Sequence, residues 1–403
     1  MKEIIVIIGG GAAGFFSAIN IANKKPNAQI MILEKSDRLL YKVQISGGGR
    51  CNVTHSCFEP MQLIKNYPRG EKNLINIFHR FQPKDTIAWF AERGVQIKTE
   101  ADGRMFPITD SSQSIIDCFM KEAKKNHIDI HINTAVDSLQ KTKNDKWRIT
   151  TSKGDTIVAD KVVVCTGSHL RTWKALEELG HQVESPVASL FTFNTKDTRL
   201  RDMMGISLHH VQLSIASTKL KSEGPLLITH WGLSGPAILK LSAWGARELA
   251  SMQYKFVLRI NFTGLQTAEE VKNEILSIKN TNPKKQISNT ILFHMPTRFY
   301  ESMLLYSKID TTKKWADFSS KEINILTELF FNSTLDIHGK STNKDEFVTC
   351  GGISLKEIDF KTMQSKLHSN LFFAGEVMDI DAITGGFNFQ AAWSTAWVVS
   401  ESV

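Results

Sequence analysis

The sequence predicts an α/β protein in which a parallel-sheet domain is split around an inserted β-barrel-like domain and a small helical subdomain. Three observations predict it. An apolar strand at the N-terminus runs into a glycine-rich turn and a helix; the same texture returns after about residue 347; and the stretch between reads as short alternating strands followed by amphipathic helices.

Ile4 to Ile8 is a continuous β-branched run, as a buried parallel strand requires. Gly9-Gly10-Gly11-Ala12-Ala13-Gly14 follows with the G-x-G-x-x-G spacing and opens a helix to Lys24. The first glycine makes the tight turn, the second lets backbone approach a pyrophosphate, and the third allows close helix–strand packing. The helix N-terminus offers free N–H groups and a positive dipole end to phosphates. A second strand, Ile30 to Leu33, ends in Glu34, where an acid accepts hydrogen bonds from ribose hydroxyls. Strand, glycines, helix, strand and acid together predict a Rossmann-like dinucleotide site. A signal peptide or membrane span over residues 4–22 is rejected, because the glycine triplet would break it and Glu3, Ser17 and Asn20 interrupt it.

At 403 residues, 42% hydrophobic and 22% charged, the chain has the composition of an ordinary globular protein with two or three domains. No other apolar run is long enough for a bilayer, so a cytoplasmic location is expected. Five cysteines without a C-x-x-C argue against a disulfide scaffold or a zinc site, and no metal is expected. The net charge of +8 is a mild excess, and Lys284-Lys285 and Lys313-Lys314 read as solvated helix faces, so nucleic-acid binding is disfavoured.

Residues 36–57 read as a polar glycine-rich loop in which Arg50, Asn52 and Thr54 are candidates to meet the same ligand. Residues 74–100 read as helical, and Gly103-Arg104-Met105-Phe106-Pro107 as a loop. Ser111 or Ser112 is the expected N-cap of the next helix. Strands are expected at 128–136, 147–150 and around Ile157, and a buried one at 161–165 closed by Thr166-Gly167. In the insert, 191–193, 211–215, 226–228 and 254–262 read as strands. Thr267 to Glu270 and Ser319 to Glu322 read as capping boxes. Ser234 is the expected cap of a helix beginning at Pro236. A last strand, Asn370 to Ala374, leads through Gly375-Glu376 to Thr384-Gly385-Gly386-Phe387-Asn388-Phe389 and a C-terminal helix.

Several long motifs resemble one bacterial family: Ser46 to Thr54, Gly103 to Pro107, Thr229-His230-Trp231-Gly232-Leu233-Ser234-Gly235-Pro236-Ala237, and Gly375 to Asn388. The chain resembles the YhiN-type flavoproteins, which are labelled NAD(P)/FAD-dependent or aminoacetone oxidoreductases and belong to the glutathione-reductase-like two-dinucleotide-binding superfamily. The resemblance implies FAD as cofactor and a discontinuous FAD domain over 1–188 and 347–403. It also implies a β-barrel-like insert over 189–264 and 328–346, interrupted by a helical subdomain over 265–327. Residues implied to line FAD are Gly9, Gly11, Ala12, Ala13, Gly14, Glu34, Lys35, Lys42, Gly48, Gly49, Arg50, Cys51, Asn52, Val53, Val136, Thr166, Gly167, Gly375, Glu376, Gly386, Phe387, Asn388 and Phe389. Cys51 and Cys57 lack the spacing of a redox-disulfide pair on a helix, which argues against a disulfide relay.

The expected activity is hydride transfer between flavin and a small organic substrate, with NAD(P)H or dioxygen as electron partner. His230 is the candidate proton donor and Arg104 the candidate carboxylate clamp. The alternatives are an RNA-modifying flavoprotein and a non-catalytic flavin-bound sensor.

Overall fold

The computed structural model describes residues 2–341 and 348–403. The expected return from the insert near residues 346 and 347 falls partly outside those residues. The chain divides into two units, residues 1–187 with 344–403, and residues 188–343.

The first unit is organised on a seven-stranded sheet. Its order is Ile358–Asp359, Gln364–Ser365, Leu371–Phe373, Lys161–Val164, β1 (Ile4–Ile8), β2 (Gln29–Leu33) and Asp129–His131. The five strands from Leu371–Phe373 to Asp129–His131 are parallel, with Ile7 opposite Val163 and Ile32, and Val163 opposite Phe372. Ile5, Val6 and Ile7 are fully buried, which is why β1 reads as uninterrupted apolar text. The helix α1 (Ala12–Lys24) lies against the C-terminal helix Phe387–Ser402. Between them Phe16 meets Trp393 with ring centroids 5.4 Å apart, and Phe119 and Phe90 complete the aromatic core. Both ends of the chain therefore build one domain.

Several local expectations are corrected. Residues 36–57 are not wholly irregular: α2 (Tyr41–Gly49) is helical until Ser46, where ψ swings to 149° and Gly47 and Gly48 take positive φ. Leu40 and Val43 are buried and anchor this turn. The 74–100 stretch is two helices, Glu71–Arg80 and Pro83–Ala91, followed by the strand Ile97–Thr99. Pro83 starts the second helix at a position where its missing N–H costs nothing, and Gln82 with Asp85 forms an unforeseen capping box. Arg104–Pro107 is a strand, not a loop, paired on one side with Ile97–Thr99 and on the other with Thr54–His55. Ser112 stands at the N-cap position, but its hydroxyl donates to the Gln44 carbonyl instead of capping the helix.

The second unit holds an antiparallel seven-stranded sheet in the order Ser333–Ile337, Phe256–Asn261, Ser207–Ile215, Lys221–Ile228, Gly232–Ser234, Thr192–Asn194 and Gly339–Ser341. Both anticipated capping boxes are present: the Thr267 hydroxyl accepts from Glu270 N–H at 3.1 Å, and the Ser319 hydroxyl accepts from Glu322 N–H at 3.3 Å. Ser234 caps nothing. The helix Pro236–Trp244 begins at Gly235, whose φ of +94° leaves no side chain in reach of its first N–H groups. Among the described residues no helix is long and apolar enough to cross a membrane.

Candidate cofactor site

The glycines of the N-terminal turn differ in what surrounds them. Gly9 has φ +113°, and a Cβ there would stand 2.5 Å from the Cys165 carbonyl oxygen. A Cβ on Gly14 would stand 1.9 Å from the Gly9 carbonyl oxygen, so the helix can approach the turn only without a side chain. Gly11 is the opposite case. It is the N-cap of α1 in extended backbone (φ −93°, ψ −167°), which any residue adopts, and nothing lies within 4 Å of a Cβ placed on it. The fold does not require glycine there, and the space beside it is open for a ligand to lie across the turn. No side chain caps α1, leaving the N-terminal N–H groups around Ala12 and Ala13 directed at the same space.

Glu34 sits at the end of β2. One carboxylate oxygen accepts from Gly10 N–H at 2.8 Å, and the other accepts from the Ser36 N–H and hydroxyl at 3.0 and 2.9 Å. These bonds fix the acid beside the glycine turn. Lys35 is exposed, and exposed Lys42 pairs with Glu376, joining α2 to the loop after Leu371–Phe373. Gly375, at φ +74°, donates its N–H to Thr395 Oγ1 at 3.0 Å, and a Cβ on it would meet Ala13. Across the same edge Gly167 has φ +60°, and the buried hydroxyl of Thr166 has no partner among the described residues. An unpaired buried hydroxyl is costly, so it marks a place where a ligand belongs.

The loop after α2 meets the second helix N-terminus. With its amide oriented to satisfy its neighbours, the Asn52 carbonyl accepts from Gly386 N–H at 3.0 Å, while its NH2 donates to the Thr54 and Met105 carbonyls. Gly386 has φ +89°, and a Cβ on it would collide with the Thr54 carbonyl at 2.5 Å. Trp393 Nε1–H donates to the Val53 carbonyl, and Tyr67 donates its hydroxyl to the Phe387 carbonyl. The C-terminal helix is thus held in place by groups from the glycine loop, its first turn carrying no side-chain cap and no acid. Asn388 bonds inward to both backbone groups of Ala382, and Phe389 stacks on Trp393. Gly48 and Gly49, both at positive φ, border open space. Val136 is half-buried at the start of a separate three-stranded sheet.

Two candidate cations are already occupied. Arg50 pairs with Glu100 at 2.6 Å and lies over the Phe106 ring. Arg104 pairs with Asp102 at 2.7 Å and Glu100 at 3.2 Å, so a substrate carboxylate would have to displace acids of this same chain. His230 belongs to the second unit. It is exposed at a hairpin tip, with its ring edge-on to Trp231 at 4.9 Å. All five cysteines are free, and burial pushes the Cys51 thiol up to about 12, which suits neither a nucleophile nor a redox relay.

The sequence reading missed His55. Its ring stacks on Phe387 at 4.6 Å, its Nδ1 is buried without a partner among the described residues, and burial lowers its pKa against the opposing pull of the Asp102 carbonyl and carboxylate. It also missed Arg69, whose guanidinium pairs with the fully buried Asp381 and ties down the segment leading to Gly385 and Gly386.

The family described as "HI0933-like protein Rossmann domain" matches residues 3–402. The chain belongs to this family. It is an FAD-binding flavoenzyme of the oxidoreductase class. The residues present fit FAD on their own terms: an open cradle at Gly11, an acid held on the Gly10 N–H beside it, a hydroxyl at Thr166 without a partner among the described residues, and two helix N-termini without side-chain caps. A relative from Escherichia coli K12, a "Ribosomal RNA dihydrouridine synthase", is 28% identical over 99% of this chain and 97% of its own length. One from Clostridium scindens, a "3-dehydro-bile acid delta(4,6)-reductase", is 22% identical over 99% and 98%. A 3-ketosteroid delta1-dehydrogenase from Sterolibacterium denitrificans shares the fold with a TM-score of 0.54 at 9% identity, covering 99% of each chain.

Proposed function

We propose that this family member reduces a carbon–carbon double bond conjugated to a carbonyl, with NAD(P)H as electron source and a uracil ring of ribosomal RNA as substrate. The RNA reading is supported by the E. coli relative named for that reaction, which is 28% identical over 99% of this chain against 22% for the C. scindens reductase. When bound, FAD would supply the two-electron hydride chemistry between a nicotinamide and the substrate. The double bond gains that hydride and one proton. His230 is the proton donor in this reading: it is an exposed imidazole at a hairpin tip whose neighbour Trp231 is 64% exposed and free to meet a planar ring. Phe387 to Phe389, in the uncapped first turn of the C-terminal helix, would present backbone N–H groups to negative charge on the reduced cofactor. A cytoplasmic location is part of this reading.

A small unsaturated ring ketone is the second reading, supported by the C. scindens relative. One anaerobic experiment separates the two. The yellow protein is bleached with NADH or NADPH, then offered unmodified ribosomal RNA or an unsaturated steroid ketone. Return of colour with RNA, together with a mass gain of two hydrogens on a uridine, supports the first reading. Return of colour only with the steroid supports the second. His230→Gln should slow this reoxidation while leaving bleaching by NAD(P)H unchanged.

A further inference from the structure

The inserted unit carries most of the chain's net positive charge, six of the eight units of excess. Residues 188–343 contain 19 Lys and Arg against 13 Asp and Glu, while the rest of the chain contains 30 against 28. Such asymmetry within one chain points to an anionic partner for the richer part.

Two segments of this unit, distant in sequence, lie side by side. Trp315 N–H donates to the Lys285 carbonyl at 3.0 Å, Ala316 N–H to the Pro283 carbonyl at 3.0 Å, and Ile287 N–H to the Lys313 carbonyl at 3.1 Å. Gln286 and Lys314 form an antiparallel bridge between them. The four lysines expected on solvated helix faces therefore stand on one short ribbon, outside any helix. The ribbon is fixed from below, since Ile287 and Trp315 are fully buried and the Tyr300 hydroxyl donates to the Ile287 carbonyl. Lys313 is engaged by Glu322 at 2.6 Å. Lys284, Lys285 and Lys314 are exposed and have no carboxylate partner among the described residues. Of the acids nearby, Glu322 is held by Lys313 and Ser319, Asp310 by Thr312, and Asp317 remains exposed.

We propose that this ribbon grips the phosphate backbone of ribosomal RNA through Lys284, Lys285 and Lys314, an assignment that rests on the RNA reading above. Three ammonium groups on a stiff support, none ion-paired to a carboxylate among the described residues, meet phosphates at little cost in ordering or in broken ion pairs. Contacts of this kind orient the RNA and leave sequence choice to groups that touch bases.

The test uses the FAD-loaded full chain and end-labelled, unmodified ribosomal RNA transcribed in vitro, read by fluorescence anisotropy across a salt series. The triple variant Lys284→Gln, Lys285→Gln, Lys314→Gln should bind roughly 10- to 100-fold more weakly at low salt. Its slope of log affinity against log salt should be shallower by about 2 to 3, near one per lost phosphate contact. Flavin reduction by NAD(P)H should be unchanged. Lys121→Gln, Lys124→Gln, Lys174→Gln removes equal charge from exposed positions in the other unit and should leave the slope near wild type. Equal losses in both triple variants, or no loss in the ribbon variant while wild type binds RNA, overturn the ribbon alone. A wild-type chain that neither binds nor reduces the RNA overturns both the ribbon and the RNA reading.

Discussion

Trp393 and Val53 are joined by a hydrogen bond, the indole N–H donating to the backbone carbonyl at 2.9 Å. Both residues are fully buried, so the bond couples the C-terminal helix to the glycine loop at a point water cannot serve. Trp393→Phe leaves the Val53 carbonyl unsatisfied and opens a gap beside Phe16 and Phe389. The expected loss is about 2–4 kcal/mol in urea-induced unfolding, with weaker FAD retention in the same variant.

The second and third glycines of the fingerprint should respond differently to a side chain. Gly11→Val meets only open space, so the apoprotein should keep its stability to within about 1 kcal/mol while absorbance from bound flavin disappears. Gly14→Ala meets the Gly9 carbonyl and should lower the thermal midpoint of the apoprotein itself. Equal destabilisation by both would remove the ground for placing the pyrophosphate at Gly11.

Thr166→Val deletes a buried hydroxyl that has no partner among the described residues. The apoprotein should be as stable as wild type or slightly more so, because no internal bond is broken. FAD affinity, measured by titrating the apoprotein, should fall roughly 3- to 15-fold, the range of one lost hydrogen bond.

Asp381→Asn keeps the shape of a buried side chain but removes the carboxylate charge that faces the Arg69 guanidinium. Removing one partner of a buried pair costs about 3–5 kcal/mol. Denaturant melts should show a loss of that size, and limited proteolysis should cut first near residues 380–386, the segment this pair restrains.

Glu322 couples the helical part of the insert to pH. Its bonds to Lys313 and to the N–H and hydroxyl of Ser319 hold its carboxyl at about 2, against 4.5 when unperturbed. The folded state therefore binds fewer protons than the unfolded one between those values. The stability contributed by this acid is complete above about pH 4.5 and is lost as pH falls through about 2. Glu322→Gln should flatten the pH dependence of unfolding in that window, and Lys313→Met should raise the carboxyl titration seen by NMR.

Local periodicity made β1, α1, β2 and the buried strands at 161–164 and 371–373 legible, because a parallel strand covered on both faces leaves a continuous apolar word in the sequence. The capping boxes were legible for the same reason: their partners are three residues apart. The misses involve partners far away in the chain. The strand Arg104–Pro107 is four residues long and exists only because Thr54–His55 and Ile97–Thr99 flank it. The helical start of α2 was hidden by Ser46-Gly47-Gly48-Gly49, which dominate its composition. The Asn52 clamp on Gly386, the lone Nδ1 of His55 and the lysine ribbon at 284–285 and 313–314 all depend on juxtapositions that no spacing rule reports.

The strand Leu371–Phe373 has a consequence for biosynthesis. Until it leaves the ribosome, Lys161–Val164 is an open edge of hydrogen-bonding groups, and the Gly375 and Gly386 turns do not yet exist as chain. Residues 188–343 emerge earlier and can fold while that edge waits. The nucleotide domain is therefore completed only when the last strand and helix dock, and the unpaired edge is open to edge-to-edge association during synthesis rather than afterwards.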